Sequence, residues 1–146
     1  MTDFPDGPAT SPGFLLWHAT LRWQRAMAAA LSPHDLTHAQ FVLLATTWWL
    51  NSQGETPSQT RLSEQTGSDP RMTSEVVRRL VAKGLLERTS HPQDSRAKVL
   101  STTPAGEQAA VLAIRSVEDA DAAFFGPATE ARGEAVLPVL RALAGR

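Results

Sequence analysis

Cysteine is absent from the 146-residue chain. That excludes a disulfide framework, an iron–sulfur site, a thiol nucleophile and a thiol redox switch. No apolar run approaches the roughly 20 residues that a membrane helix needs. The opening stretch MTDFPDGPATSPG is acidic and rich in Pro and Gly, unlike a signal peptide. A soluble protein of the cytoplasm, with no membrane partner, is the expectation. There is also no Gly-rich phosphate loop, no G-x-S-x-G and no H-E-x-x-H, and the carboxylates are scattered among charged neighbours. The chain is therefore read as neither an enzyme nor a cofactor protein. Net charge is only −1. With 42% hydrophobic and 20% charged residues, the chain should fold around a substantial core rather than remain disordered.

The small net charge hides an uneven distribution. Residues 71–98 hold seven basic side chains (Arg71, Arg78, Arg79, Lys83, Arg88, Arg96, Lys98) against three acidic ones (Glu75, Glu87, Asp94), a net of +4. The stretches on either side net −3 and −2. A polyanion responds to the local field and not to the total. On its own, however, such a stretch describes a solvated face equally well.

Local signals divide the chain into elements. Residues 1–11 read as a flexible arm interrupted by Pro5, Gly7 and Pro8. A helix follows from Pro12 to Leu31, with Leu16, Ala19, Trp23, Ala26, Met27 and Ala30 on one stripe. Thr37 and Gln40 form a capping box for a second helix, whose expected core stripe is Phe41, Leu44, Ala45 and Trp48. Gly54 and Pro57 close it.

Ser58 caps a short helix that Thr66-Gly67 ends. Asp69 caps another, with Pro70 in its first turn and Gly84 as its stop. Two short helices joined by a Gly-containing turn form a helix-turn-helix, with Leu62, Val76, Val77 and Leu80 as its core. Strands are expected at Leu85–Thr89 and Ala97–Thr102, joined by the long polar tip SHPQDSR. Thr103-Pro104 then opens a helix ending at Gly126-Pro127. Thr129 caps a last helix to Leu143, kinked near Pro138.

The expected fold is mainly α with a small β-hairpin wing (α+β). Residues 34–103 make a winged helix-turn-helix, and residues 12–33 and 104–146 supply long Ala/Leu-rich helices. Val111, Leu112, Ile114, Val117, Phe124, Phe125, Val136, Leu137, Val139, Leu140 and Leu143 exceed what so small a winged unit can cover. A homodimer through these terminal helices would bury them. An intramolecular bundle is the alternative.

At this point the chain resembles the MarR family of bacterial transcription regulators, over residues from about 14 to 143. The segment LVAKGLLERTSHPQDSRAKVLSTTPAG (80–106) carries the turn Lys83-Gly84-Leu85 and the wing motif D-x-R as Asp94 and Arg96. LTHAQFVLL (36–44) is similar to the family's second helix. Thr102 stands where the family usually has leucine, a departure expected to loosen the base of the wing.

The resemblance implies a sequence-specific regulator of double-stranded DNA, a repressor working as a homodimer on a palindromic operator. The second short helix would enter the major groove. Its Arg71, Met72, Thr73 and Ser74, with Arg78 one turn on, would meet bases or phosphates. Arg71 suits guanine, and Met72 suits a thymine methyl or else the core. Glu75 is expected to pair with Arg71 or Arg79. Arg96 would enter the minor groove, with Asp94 holding that side chain or its loop. Lys98 and Arg88 would meet phosphates or water. Thr60 or Arg61 would help the helix start after Ser58 to bind a phosphate.

Family members also bind small aromatic effectors between the dimer helices and the winged unit. Here Trp17, His18, Arg25 and Trp48 are the candidate contacts; filling the core and dimer interface is the alternative role of the tryptophans. Oxidant sensing through cysteine is closed to this chain. A metal-responsive regulator through His34 and His38 is a thin alternative, and so is a winged helix used for protein–protein contact, which Met72 keeps open.

Overall fold

The computed structural model describes residues 6–132 and 136–146. Among these residues, six α-helices and one hairpin follow in chain order: α1 (Pro12–Leu31), α2 (His38–Ser52), α3 (Gln59–Thr66), α4 (Pro70–Ala82), β1 (Leu86–His91), β2 (Asp94–Thr102), α5 (Pro104–Arg132) and α6 (Val136–Ala144). Short 3-10 turns at Gly7–Thr10 and Ser32–His34 precede α1 and α2. The first lies within the expected arm, where Thr10 Oγ1 donates to the Gly7 carbonyl at 3.1 Å. Residues 1–5 of that arm lie outside the described residues.

Two compact units emerge, one of Met1–Ala30 and Val117–Arg146, the other of Leu31–Ser116. In the second, α2 packs on α3, α4 and β2, while α4 also packs on β1. The expected core residues Leu62, Val76, Val77 and Leu80 are buried, together with Leu43, Leu44, Leu50, Leu86 and Leu100.

Caps set the helix starts as expected. Thr37 accepts from the Gln40 amide at 3.1 Å, and the Gln40 side chain accepts from the Thr37 amide at 3.2 Å. Ser58 caps α3 through the Arg61 amide, and the Asp69 carboxylate takes the Arg71 and Met72 amides. Gly84 turns the chain at φ 72°, which a side chain would resist.

Five expectations are corrected. The stripe of α2 that enters the core is Gln40, Leu43, Leu44, Thr47 and Leu50, whereas Phe41, Ala45 and Trp48 are only half-buried. The helix is apolar nearly all round, so composition leaves its phase open, and Thr47 can be buried because its hydroxyl donates to the Leu43 carbonyl at 2.8 Å.

The strands run further than expected, with Ser90 opposite Lys98 and an irregular step to His91 opposite Asp94. The tip is therefore short. Gly126-Pro127 does not end α5, which continues to Arg132. A residue before proline resists helical backbone in part through its Cβ, which glycine lacks. Thr129 then sits within α5, its hydroxyl donating to the Phe125 carbonyl at 3.0 Å, and is not a cap. Pro138 falls in the first turn of α6, where its missing amide costs no helical bond, so no kink is needed there.

In the first unit, Trp23 Nε1 donates to Asp121 Oδ1 at 2.8 Å, joining α1 to α5. Met27 and Val117 are buried. Much apolar surface is not: Phe14, Leu15, Leu16 and Trp17 on α1 are 43–63% exposed, and Leu137, Val139, Leu140 and Leu143 on α6 are 38–67% exposed.

Candidate nucleic-acid interface

The outer face of α4 follows from its amphipathic spacing. Thr73, Val76, Val77 and Leu80 point into the core, which turns Arg71, Met72, Ser74, Glu75, Arg78 and Arg79 to solvent. Thr73 corrects the expected contact set. It is 0% exposed and its hydroxyl donates to the Asp69 carbonyl at 2.9 Å, so it braces the first turn and reaches no ligand. Met72 is 39% exposed, which favours a surface role over the core. Glu75 pairs with Arg79 at 3.1 Å, one helical turn away. Among the described residues, nothing holds the guanidinium groups of Arg71 and Arg78, which project freely from the helix.

At the wing, Asp94 holds the loop and not the neighbouring side chain. Its Oδ1 accepts from the Arg96 backbone amide at 3.0 Å, closing a side-chain turn across D-x-R. Arg96 is thereby presented outward, exposed at the hairpin end. The Gln93 amide donates to His91 Nδ1 at 3.1 Å, a second brace of the tip that the sequence pattern did not signal. Lys98 donates to Ser90 Oγ at 3.0 Å across the hairpin, and Arg88 donates to Gln59 Oε1 at 3.2 Å, tying the wing to α3.

At the start of α3, Thr60 is exposed and lines a cleft of about 250 Å³ with Gln59, Ser63, Glu64 and Pro70. Arg61 is drawn back, its Nε 2.8 Å from Glu55 Oε1 and a terminal nitrogen 3.0 Å from Gln65 Oε1. Its charge at the helix start is already matched by Glu55.

The base of the wing is tied by hydrogen bonds of Thr102 and Thr103. Thr103 caps α5 by accepting from the Gly106 amide at 3.0 Å and donates to the Gly84 carbonyl at 2.6 Å. Thr102, in place of the usual leucine, bonds Asn51 on α2 through both its amide (2.9 Å) and its hydroxyl (3.3 Å). Its hydroxyl adds a tie where loosening was expected.

The candidate effector residues fall in both units. Trp17, His18 and Arg25 lie exposed along α1, with the His18 ring 4.5 Å from that of Phe14. Trp48, in the other unit, lines a small cleft of about 180 Å³ with Asn51, Ser52, Thr102 and Glu107. His34 Nε2 lies 2.8 Å from Ser116 Oγ. Among the described residues no group of three or more His, Asp or Glu side chains is placed to hold a metal. No described helix is long and apolar enough to cross a membrane.

A helix-turn-helix with an exposed cationic face, followed at once by a hairpin with an arginine at its end, defines a winged-helix regulator. The MarR family profile matches residues 36–98. The chain is 48% identical over 122 residues to YdcH, an uncharacterised HTH-type transcriptional regulator of Bacillus subtilis (strain 168), covering 84% of this chain and 83% of that protein. It belongs to the MarR family of transcription regulators. Two solved structures share the fold closely. CouR from Rhodococcus jostii RHA1, bound to p-coumaroyl-CoA, is 25% identical with a TM-score of 0.80, covering 94% of each chain. BpsR of Bordetella bronchiseptica, whose DNA binding is regulated by 6-hydroxynicotinic acid, is 27% identical with a TM-score of 0.80, covering 94% of this chain and 96% of that one.

Proposed function

We propose that this regulator is a cytoplasmic repressor that binds a palindromic operator in double-stranded DNA as a homodimer and leaves it when a small aromatic effector binds. The carrying observation is the outer face of α4, where Arg71, Met72, Ser74 and Arg78 stand clear of the core and the two arginines are unengaged. Arg71 and Arg78 are suited to guanine edges or phosphates, and Met72 to a thymine methyl. Arg96 fits a narrow minor groove, while Thr60, Lys98 and, more weakly, the clamped Arg61 fit phosphates.

The exposed apolar residues of α1 and α6 support a dimer through residues 12–33 and 104–146, with 34–103 as the DNA-reading part. Two-fold symmetry would place two copies of α4 about one helical turn apart on the duplex. An aromatic effector is supported by the ring-bearing ligands of CouR and BpsR, with Trp17, His18, Arg25 and Trp48 as its contacts here.

Selection of bound fragments from sheared genomic DNA at two salt concentrations tests the reading. Enrichment of a short inverted repeat that survives the higher salt is the expected result. Retention without a shared motif, lost at the higher salt, would reduce the site to a basic patch and favour a protein-contact role.

A further inference from the structure

The two DNA-facing elements are held by opposite ends of one helix. Near the start of α2, Gln40 Oε1 accepts from Lys83 Nζ at 3.1 Å, and Lys83 closes the C-terminus of α4. Near the end of α2, Asn51 meets the wing. Its Nδ2 donates to the Leu100 carbonyl at 3.3 Å and to the Glu55 carbonyl at 3.0 Å. Its Oδ1 accepts from the Thr102 amide at 2.9 Å and the Thr102 hydroxyl at 3.3 Å. One amide side chain thus uses donor and acceptor together on two residues of β2. Eleven residues separate Gln40 from Asn51, so about 16 Å of rigid helix spaces the two attachments.

We infer that Asn51 is a positioning residue for DNA recognition, setting the angle of the wing, and hence of Arg96, relative to α4. Asn51 spends its side-chain amide on Leu100, Thr102 and Glu55, and its route to Arg96 is through β2. Arg96 is six residues from Thr102 along that strand, about 20 Å at strand rise. A small tilt at the base therefore becomes a displacement of ångströms at the tip. Three hydrogen bonds run from this one side chain of α2 to β2. The pairing also gives the Thr102 hydroxyl a partner on α2. The inference rests on the DNA-binding reading, and its test separates the two.

Asn51→Asp keeps the size and the acceptor but turns carboxylate oxygen toward two carbonyls. Thr102→Val removes one hydroxyl and keeps the packing. Amide hydrogen exchange on the full chain, without DNA, is the first measurement. Asn51→Asp should speed exchange across residues 86–102 and leave α4 unchanged; an unchanged wing, or equal loosening of α4, overturns the inference whatever the DNA does.

The second measurement is affinity for the selected duplex. Asn51→Asp should weaken binding about tenfold, with Thr102→Val intermediate. In an Arg96→Ala background the Asn51→Asp loss should shrink below about twofold, because the tip that it positions is gone. Equal losses in both backgrounds would overturn the positioning role. A wild-type chain that binds no duplex would refute the DNA-binding reading, while the exchange result still decides whether Asn51 anchors the wing.

Discussion

Replacing Gly106 with alanine should be among the most damaging small changes in the chain. Gly106 is the third residue of α5, and a Cβ there would lie 1.8 Å from the Leu85 carbonyl oxygen and 2.7 Å from its carbon. The obstacle is backbone, so no side chain can swing aside. The start of α5 must retreat by more than about 1 Å to reach normal contact. That retreat breaks a local set of bonds: Thr103 amide to Leu85 carbonyl (3.1 Å), Thr103 hydroxyl to Gly84 carbonyl (2.6 Å) and Gly106 amide to Thr103 hydroxyl (3.0 Å). Three bonds at about 1 kcal/mol each, with an overpacking cost of about 1–3 kcal/mol, give a loss near 5 kcal/mol. Urea unfolding followed by tryptophan fluorescence, at one fixed protein concentration, measures it. Gly13→Ala is the control, since its Cβ meets open space within α1 and should leave stability level or slightly raised. A Gly106→Ala protein within about 0.5 kcal/mol of the parent would refute the close approach of α5 to Leu85.

Arg71→Ala should cost about 1–3 kcal/mol of binding, concentrated at one base position; loss spread evenly over all sequences in a competition series would make Arg71 a phosphate contact instead. Arg96→Ala should weaken binding and flatten the dependence of log affinity on log salt by about 1 for each wing, and unchanged titrations would remove Arg96 from the interface. In sedimentation at micromolar concentration the 15.8 kDa chain should run at twice its mass. Leu140→Glu, which puts a charge on an exposed apolar face of α6, should shift it toward monomer; a parent already at monomer mass would refute the dimer.

How far the sequence could be read depended on how local the chemistry was. The starts of α2, α3 and α4 were legible because Thr37, Ser58 and Asp69 bond amides two or three residues away. The basic helix was legible for the same reason, while the D-x-R tip was read from the family resemblance, and only the structure shows Asp94 holding the Arg96 amide. The inward turn of Thr73 was not. Its hydroxyl looks available in a list of residues and is spent on the Asp69 carbonyl in the fold.

The phase of α2 was hidden by apolar residues on every side. The passage of α5 through Pro127 was hidden because Gly126-Pro127 reads locally as a break, and only the continuous helix reveals otherwise. Asn51 was missed because its partners on β2 are about fifty residues away, and a polar residue at a helix end carries no mark of such a contact.

The most direct test of the account is hydroxyl-radical footprinting of the chain on its selected duplex, with the number of bound chains measured alongside. The account predicts two chains per duplex and two symmetric protected stretches, with centres about 10 base pairs apart, each lost selectively in Arg71→Ala or Arg96→Ala protein. A single chain per duplex, or protection spread evenly along the DNA, would contradict it.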